Sequence, residues 1–389
     1  MSTTWQESFA GLQVFIKSSP GIAIGKVVIS IPDDVRPEFY RLFDDVRMTF
    51  VEEKFPALLR EAEILSKNYT QAEQEVKALL KLDNIYTLGF LDKFLHGTRQ
   101  ELTRELFNPL FELLRGTIDS GTFERQGIKD IEAIYERSHR LGYAKWLALT
   151  LVKELESDKI FAVAPPECKL DGHGAPICCE DDVSYPQESK YLTFEHGPDH
   201  YPPFITPHFI VHSAKLKRYV SIRTELIAPA EYIALNSSEK REWYNFASLK
   251  RDYNLALTNP GLLIYLGDQL EDLALIADKD RMCRPDMIVE YREPWDWEDK
   301  DITANTKLYD VLNPKLGRYI VSREPVAEPV SQEKAGKPVE EKLLDGQGSQ
   351  SAEKAVYNLT VNFDPSKLAP IMDKLVNADS LTLEKTANA

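Results

Sequence analysis

The chain has 389 residues, 43% of them hydrophobic, and 62 acidic against 47 basic side chains, a formal net charge of −15. That length supplies two or three domains with cores of their own, and that charge excludes nucleic-acid binding through the overall field of the protein. No run of about 18 apolar residues and no basic-then-apolar leader is visible, and four cysteines are no disulfide framework for a chain this long. A cytoplasmic protein with reduced thiols and no membrane partner is expected.

Residues 1 to 160 read as a helical domain of five to seven helices, with one early strand within Ile22 to Ile31. Apolar residues recur at three and four through Phe39, Leu42, Phe43, Val46 and Phe50, and again through Leu58, Leu59, Ala62 and Leu65 after Pro56. Thr70-Gln-Ala-Glu73 and Thr98-Arg-Gln-Glu101 match the capping box, in which a hydroxyl and a carboxylate satisfy each other's backbone donors, so each marks a helix start. Gly127 opens another segment over Ile128 to Leu141, and Tyr143 to Leu155 forms a further one. These stripes carry no cofactor box, and the domain's expected roles are partner binding, self-association or covering the second domain.

Residues 161 to 215 are dense in proline and hold five of the seven histidines: His173, His196, His200, His208 and His212, with Cys168, Cys178 and Cys179. Zinc takes four nitrogen or sulfur ligands from closely spaced pairs. The spacing here fits no such template, so zinc is not the expected ligand and the segment reads as a crossing loop. Phe209 to Leu226 alternates as a hairpin does, and Asn236-Ser-Ser-Glu239 reads as the cap of a helix running to Leu257. Lys215, Lys217, Arg218, Arg223, Lys240, Arg241, Lys250 and Arg251 form the one local basic patch, diluted by Glu225, Glu231, Glu239, Glu242 and Asp252. The patch is weak, and a solvated helix face explains it better than nucleic acid does.

From Gly261 to Arg323 the pattern becomes strand, turn, strand, helix, strand. Side chains at i, i+2 and i+4 share a strand face, so Asp286, Ile288, Glu290 and Arg292 lie together, half-exposed, with Met287, Val289 and Tyr291 behind them. A hairpin of Leu273–Ala277 and 286–292 closed around 278–285 brings Asp272 opposite Glu290. Two carboxylates so placed repel unless a proton or cation sits between them. Magnesium held by one or two carboxylates can polarise a phosphoryl oxygen and acidify a bound water, the chemistry of phosphodiester hydrolysis. The competing reading is the solvated face of a hairpin.

Asp272, Pro285-Asp286-Met-Ile-Val-Glu290, Asp301…Lys307…Tyr309 and Tyr319-Ile-Val, about 60 residues, resemble the C-terminal half of the PD-(D/E)XK restriction-endonuclease-like superfamily, in particular a group of bacterial endonuclease-like proteins. The resemblance implies catalytic roles for Asp272, Glu290, Arg292 and Lys307, magnesium on Asp272, Glu290 and Asp286, and a nucleic-acid substrate. The usual lysine two residues after the glutamate is Arg292 here. Arginine stays protonated and cannot act as a base, although it can hold a phosphate, and Lys307 is the candidate to replace it.

The expected fold class is therefore α+β: a helical domain over 1–160 and an α/β restriction-endonuclease-like domain over 161–323. A disordered linker follows over 324–354, where Glu, Pro, Lys, Gly, Ser and Gln leave too little apolar surface to order. Residues 355–389 regain apolar spacing and read as a short strand–helix docking element or tail. Two functions stay open: a metal-dependent nuclease, or a non-catalytic interaction or scaffold protein binding a protein partner through its helical domain.

Overall fold

The computed structural model describes residues 3–87, 89–163, 169–170, 176–177, 186–194, 209–223, 243–245, 262–273, 281–293, 312–325 and 356–378. The linker expected over 324–354 lies almost wholly outside them, as do His173, His196, His200, His208, Asp301, Lys307 and Tyr309.

Helix α1 (Trp5–Ser18) starts at a capping box formed by Thr4 and Glu7, whose hydroxyl and carboxylate accept each other's backbone N–H at 3.3 and 2.7 Å. The early strand is instead a small hairpin of β1 (Ala23–Ile24) and β2 (Ile29–Ser30). Helices α2 (Arg36–Lys54) and α3 (Pro56–Leu80) follow, then β3 (Asn84–Tyr86), α4 (Gly89–His96), α5 (Thr98–Arg104), α6 (Phe107–Leu114) and α7 (Ser120–Glu154). Of the two sequence-marked helix starts, the one at Thr98 stands, one residue from its cap, and the one at Thr70 is corrected. Thr70 is interior to α3, and the Thr98 hydroxyl donates back to the Phe94 carbonyl at 2.8 Å while Gly97 occupies the cap. Nor do Gly127 and Gly142 end a helix. A β-carbon at Gly127 would lie 2.7 Å from Leu106 and 3.1 Å from Phe50, and one at Gly142 would lie 2.9 Å from Leu95. They permit close packing inside one 35-residue helix.

The chain divides into two compact units, 1–73 with 87–146, and 74–86 with 147–389. The division falls within α3 and α7. The first unit is centred on aromatic packing. Trp5, Phe50 and Phe123 meet with ring centroids 5.2 to 5.7 Å apart, all buried. Phe43 and Phe111 approach to 4.5 Å, and the Arg47 guanidinium lies 5.3 Å from the centres of both Phe43 and Phe107.

The second unit is built on strands: β4 (Ser157–Val163), β5 (Lys169–Leu170), β6 (Pro176–Ile177), β7 (Pro186–Glu188), β8 (Tyr191–Thr193), β9 (Phe209–Ser213), β10 (Arg218–Arg223), β11 (Trp243–Asn245), β12 (Leu262–Gly267), β13 (Arg281–Cys283), β14 (Met287–Tyr291), β15 (Arg318–Ser322) and β16 (Val356–Thr360). Eight of them form a mixed sheet in the order β16-β15-β14-β12-β10-β9-β4-β7. The β14–β15 and β15–β16 pairs are parallel and the others antiparallel. The β9–β10 hairpin is the one the alternation predicts, closed by Lys217 at φ +54°. The helix expected to run to Leu257 is interrupted at the least by β11, which pairs with β13. A 3₁₀ turn (Pro365–Leu368) and α8 (Ala369–Val376) follow β16. The fold class is α+β, with mainly helical packing in one unit and a mixed sheet in the other.

Candidate functional site

The residues singled out by the sequence lie on and around β14. Its register sets their positions: Leu262 pairs with Val289 and Ile264 with Met287, so β12, not the segment after Asp272, is the antiparallel neighbour. Glu290 lies one residue past the Leu262 pair, where β12 begins. Asp272 sits half-buried in a 3₁₀ turn (Glu271–Leu273), five residues beyond the other end of β12 at Gly267. A six-residue strand rises about 3.3 Å per residue. The expected Asp272–Glu290 opposition is therefore replaced by placement at opposite strand ends. The hairpin forms one strand earlier in the chain than the apolar run at Leu273 suggests.

Glu290, Arg292 and Asp286 do share a strand face, as the period of two requires, but that face is interior. Glu290 is 2% exposed and Arg292 6%. In the parallel register Arg318 lies beside Ile288, on the same face. Glu290 Oε1 accepts from Arg292 Nε at 2.8 Å, and Oε2 accepts from Arg318 at 2.6 and 3.1 Å. Asp286 is tied differently. One of its oxygens accepts the Leu266 N–H at 2.7 Å, and the other faces the Lys315 ammonium at 3.3 Å. Both carboxylates thus join neighbouring strands or loops through charge-assisted hydrogen bonds.

A second buried ion pair follows at the ends of the same two strands. Arg323 donates to both oxygens of Glu293, at 2.8 and 3.3 Å, and the Tyr291 hydroxyl donates to Glu293 as well. Arg318, Glu293 and Arg323 were not singled out from the sequence. The available signal was an arginine immediately before the apolar run Tyr319-Ile-Val, since a charged residue in a fully buried strand must be paired.

Magnesium does not fit this donor set. A cation at Glu290 would meet two guanidinium groups already on its oxygens, and Asp286 carries an ammonium beside it. Among the described residues no group of three or more His, Cys, Asp or Glu side chains is gathered, which speaks to multi-ligand sites such as zinc and not to magnesium. The basic patch is also dispersed where it is described. Arg223 is buried, Arg218 pairs with Asp268 at 2.8 Å, and Lys215 reaches Glu156 at 4.0 Å.

Two other places gather polar groups. In the first unit His96 is bonded through Nε2 to Glu73 at 2.9 Å and through Nδ1 to the Asp92 carbonyl oxygen at 3.1 Å. The Glu73 hydrogen bond raises the His96 pKa to about 9. In the second unit an open cavity of about 1080 Å³ is lined by Glu75, Lys153, Glu156, Asp158, Lys159 and Glu188 among others. Its charges are largely matched, with Lys153 on Glu75 at 2.7 Å and Lys159 on Glu188 at 3.6 Å. His212, on β9, bonds Asp158 at 2.7 Å.

Among the described residues no helix is long and apolar enough to cross a membrane. Comparison with known proteins finds no matching family model, no matching curated protein and no matching solved structure.

Proposed function

We propose that this chain is a non-catalytic interaction or scaffold protein and that the Glu290 cluster holds its central sheet together. The observation that carries this reading is the commitment of both Glu290 oxygens to Arg292 and Arg318 inside the sheet. A carboxylate that serves a metal must offer its charge to the ion, whereas this one is already neutralised by two cations. Asp272, the other carboxylate such a centre needs, stands at the opposite end of β12.

Glu290→Gln separates the two functions. A catalytic Glu290 predicts loss of metal-dependent cleavage with the fold intact. A structural one predicts a large loss of stability, because the glutamine leaves two buried guanidinium groups without their counter-charge. We expect the wild-type protein to show no magnesium- or manganese-dependent cleavage of DNA or RNA and no rise in melting temperature with either metal. We expect Glu290→Gln to melt well below wild type. Metal-dependent cleavage abolished by a Glu290→Gln variant of unchanged stability would overturn the proposal.

A second reading, a PD-(D/E)XK-like nuclease, is supported by strand order. In the sheet β10, β12 and β14 run antiparallel in that order and β15 lies parallel to β14, an arrangement in which the expected strand, turn, strand and final strand over 261–323 can be accommodated.

A further inference from the structure

The last strand of the large sheet differs from the strand it pairs with. All five residues of β15 are buried, whereas β16 alternates between exposed and half-buried positions, with Val356 45% exposed. Five register pairs, Arg318 with Val356 through Ser322 with Thr360, and a further bond from the Val361 N–H to the Ser322 carbonyl at 2.9 Å, attach β16 to that edge. The segment then turns through Asn362 and Phe363, both at positive φ, into the 3₁₀ turn and α8. Leu368, Ile371, Met372 and Leu375 are buried at the three- and four-residue spacing of an apolar helix face. Tyr319 stacks on Tyr357 at 4.8 Å, its hydroxyl donates to the Pro370 carbonyl at 3.4 Å, and Lys374 lies 5.8 Å from the Tyr357 ring centre.

The element is thus held by main-chain pairing along an edge and by one apolar helix face, the two features by which folded domains bind peptides. Its covalent tie is long. Thirty-three residues, 323–355, connect two adjacent parallel strands for which a dozen or so suffice.

We propose that the edge of β15 is a peptide-binding site, that residues 356–376 are its resident ligand, and that the same segment of a second copy of this chain can take its place. The ligand class is an extended strand running parallel to β15, with an aromatic residue set to stack on Tyr319, followed by a short amphipathic helix. The inference stands independently of whether Glu290 is catalytic or structural, because it uses neither the carboxylate nor a metal.

The test uses the full chain with a protease site inserted after Gly346. After cleavage, residues 347–389 should co-elute with the body of the protein. A fluorescent synthetic peptide of residues 353–389 should replace the cleaved fragment saturably, and the same peptide with Leu375→Asp should bind at least tenfold more weakly. Unchanged melting of the remaining sheet after cleavage shows that the body stays folded. In the uncut chain, deleting 326–352 leaves six of the 33 connecting residues, too few for the crossover within one copy. Light scattering should then show a dimer in which each copy receives the other's element. A cleaved fragment that elutes alone and a peptide that does not bind overturn the proposal, as does a shortened chain that stays monomeric.

Discussion

The helical unit and the sheet unit solve the same problem with different materials. Around Trp5, Phe50 and Phe123 the interior is aromatic packing, and any shape-compatible apolar set would serve. Around β14 and β15 the interior holds Asp286, Glu290, Arg292, Glu293, Arg318 and Arg323, each 7% exposed or less. Buried ions contribute little net stability, since desolvation cancels most of the attraction, but each is costly to leave alone. The ion-paired interior around β14 and β15 is therefore more sensitive to the loss of a single charge than the aromatic cluster around Phe50.

The largest expected effect tests that contrast directly. Glu290→Gln should cost about 3–5 kcal/mol, the range for breaking a buried pair from one side, read as a lowered urea midpoint. Phe50→Ala should cost about 3–5 kcal/mol by the different route of a cavity. Phe50→Leu should restore much of that loss, whereas no neutral residue at 290 should restore the sheet. If Glu290→Leu is as stable as wild type, the sheet is no more charge-dependent than the helices.

Next comes Gly127→Ala. Alanine favours a helix by about 1 kcal/mol, but its methyl would sit 2.7 Å from Leu106 and 3.1 Å from the rigid ring of Phe50. Overpacking of this kind costs about 1–3 kcal/mol, so a lowered melting temperature is expected. Thr4→Ala, which removes the capping hydroxyl of α1, should cost about 0.5–1 kcal/mol, and Thr4→Ser should keep most of it.

The smallest effect concerns pH. His96 has a folded-state pKa of about 9, above its ordinary 6.5. The folded state therefore holds the proton more tightly than the unfolded chain. The resulting stability is fully present below pH 6.5 and is lost as pH rises through 9. The side chain is 40% exposed, so solvent screens the pair and the effect is modest. The melting-temperature difference between wild type and His96→Gln should shrink between pH 6.5 and 9; a constant difference would sink this account.

The helices of the first unit were legible because burial repeats every three to four residues, and Phe39, Phe43, Val46 and Phe50 are all buried in α2 as that period requires. The helix boundaries were less so. Thr70 carries the capping pattern but lies inside α3, where the preceding turn already supplies the backbone partners, whereas Thr98 does begin α5, one residue after its cap at Gly97. Gly127 and Gly142 carry a breaker's identity, yet their missing side chains are filled by Leu106, Phe50 and Leu95 from other helices, which a local reading cannot see. On β14 the period of two correctly grouped Asp286, Glu290 and Arg292. It could not tell which face was interior, because Arg318, the residue that makes a buried glutamate tolerable, lies 28 positions away. The Asp272 placement failed on register: an apolar run at Leu273 looked like a strand, while the true neighbour, Leu262 to Gly267, lay just before it.

The order in which β15 and β16 occur in the chain also sets a schedule. A ribosome adds about 5–20 residues per second, and Thr360 follows Ser322 by 38 positions. For on the order of 2–8 seconds in every synthesis, the run Tyr319-Ile-Val waits at an unpaired edge, the kind of surface that recruits other strands. Chains growing side by side on one message hold the same edge and, a few seconds apart, the same missing strand. The neighbourhood in which this protein is made thus decides how often the gap is closed by its own chain.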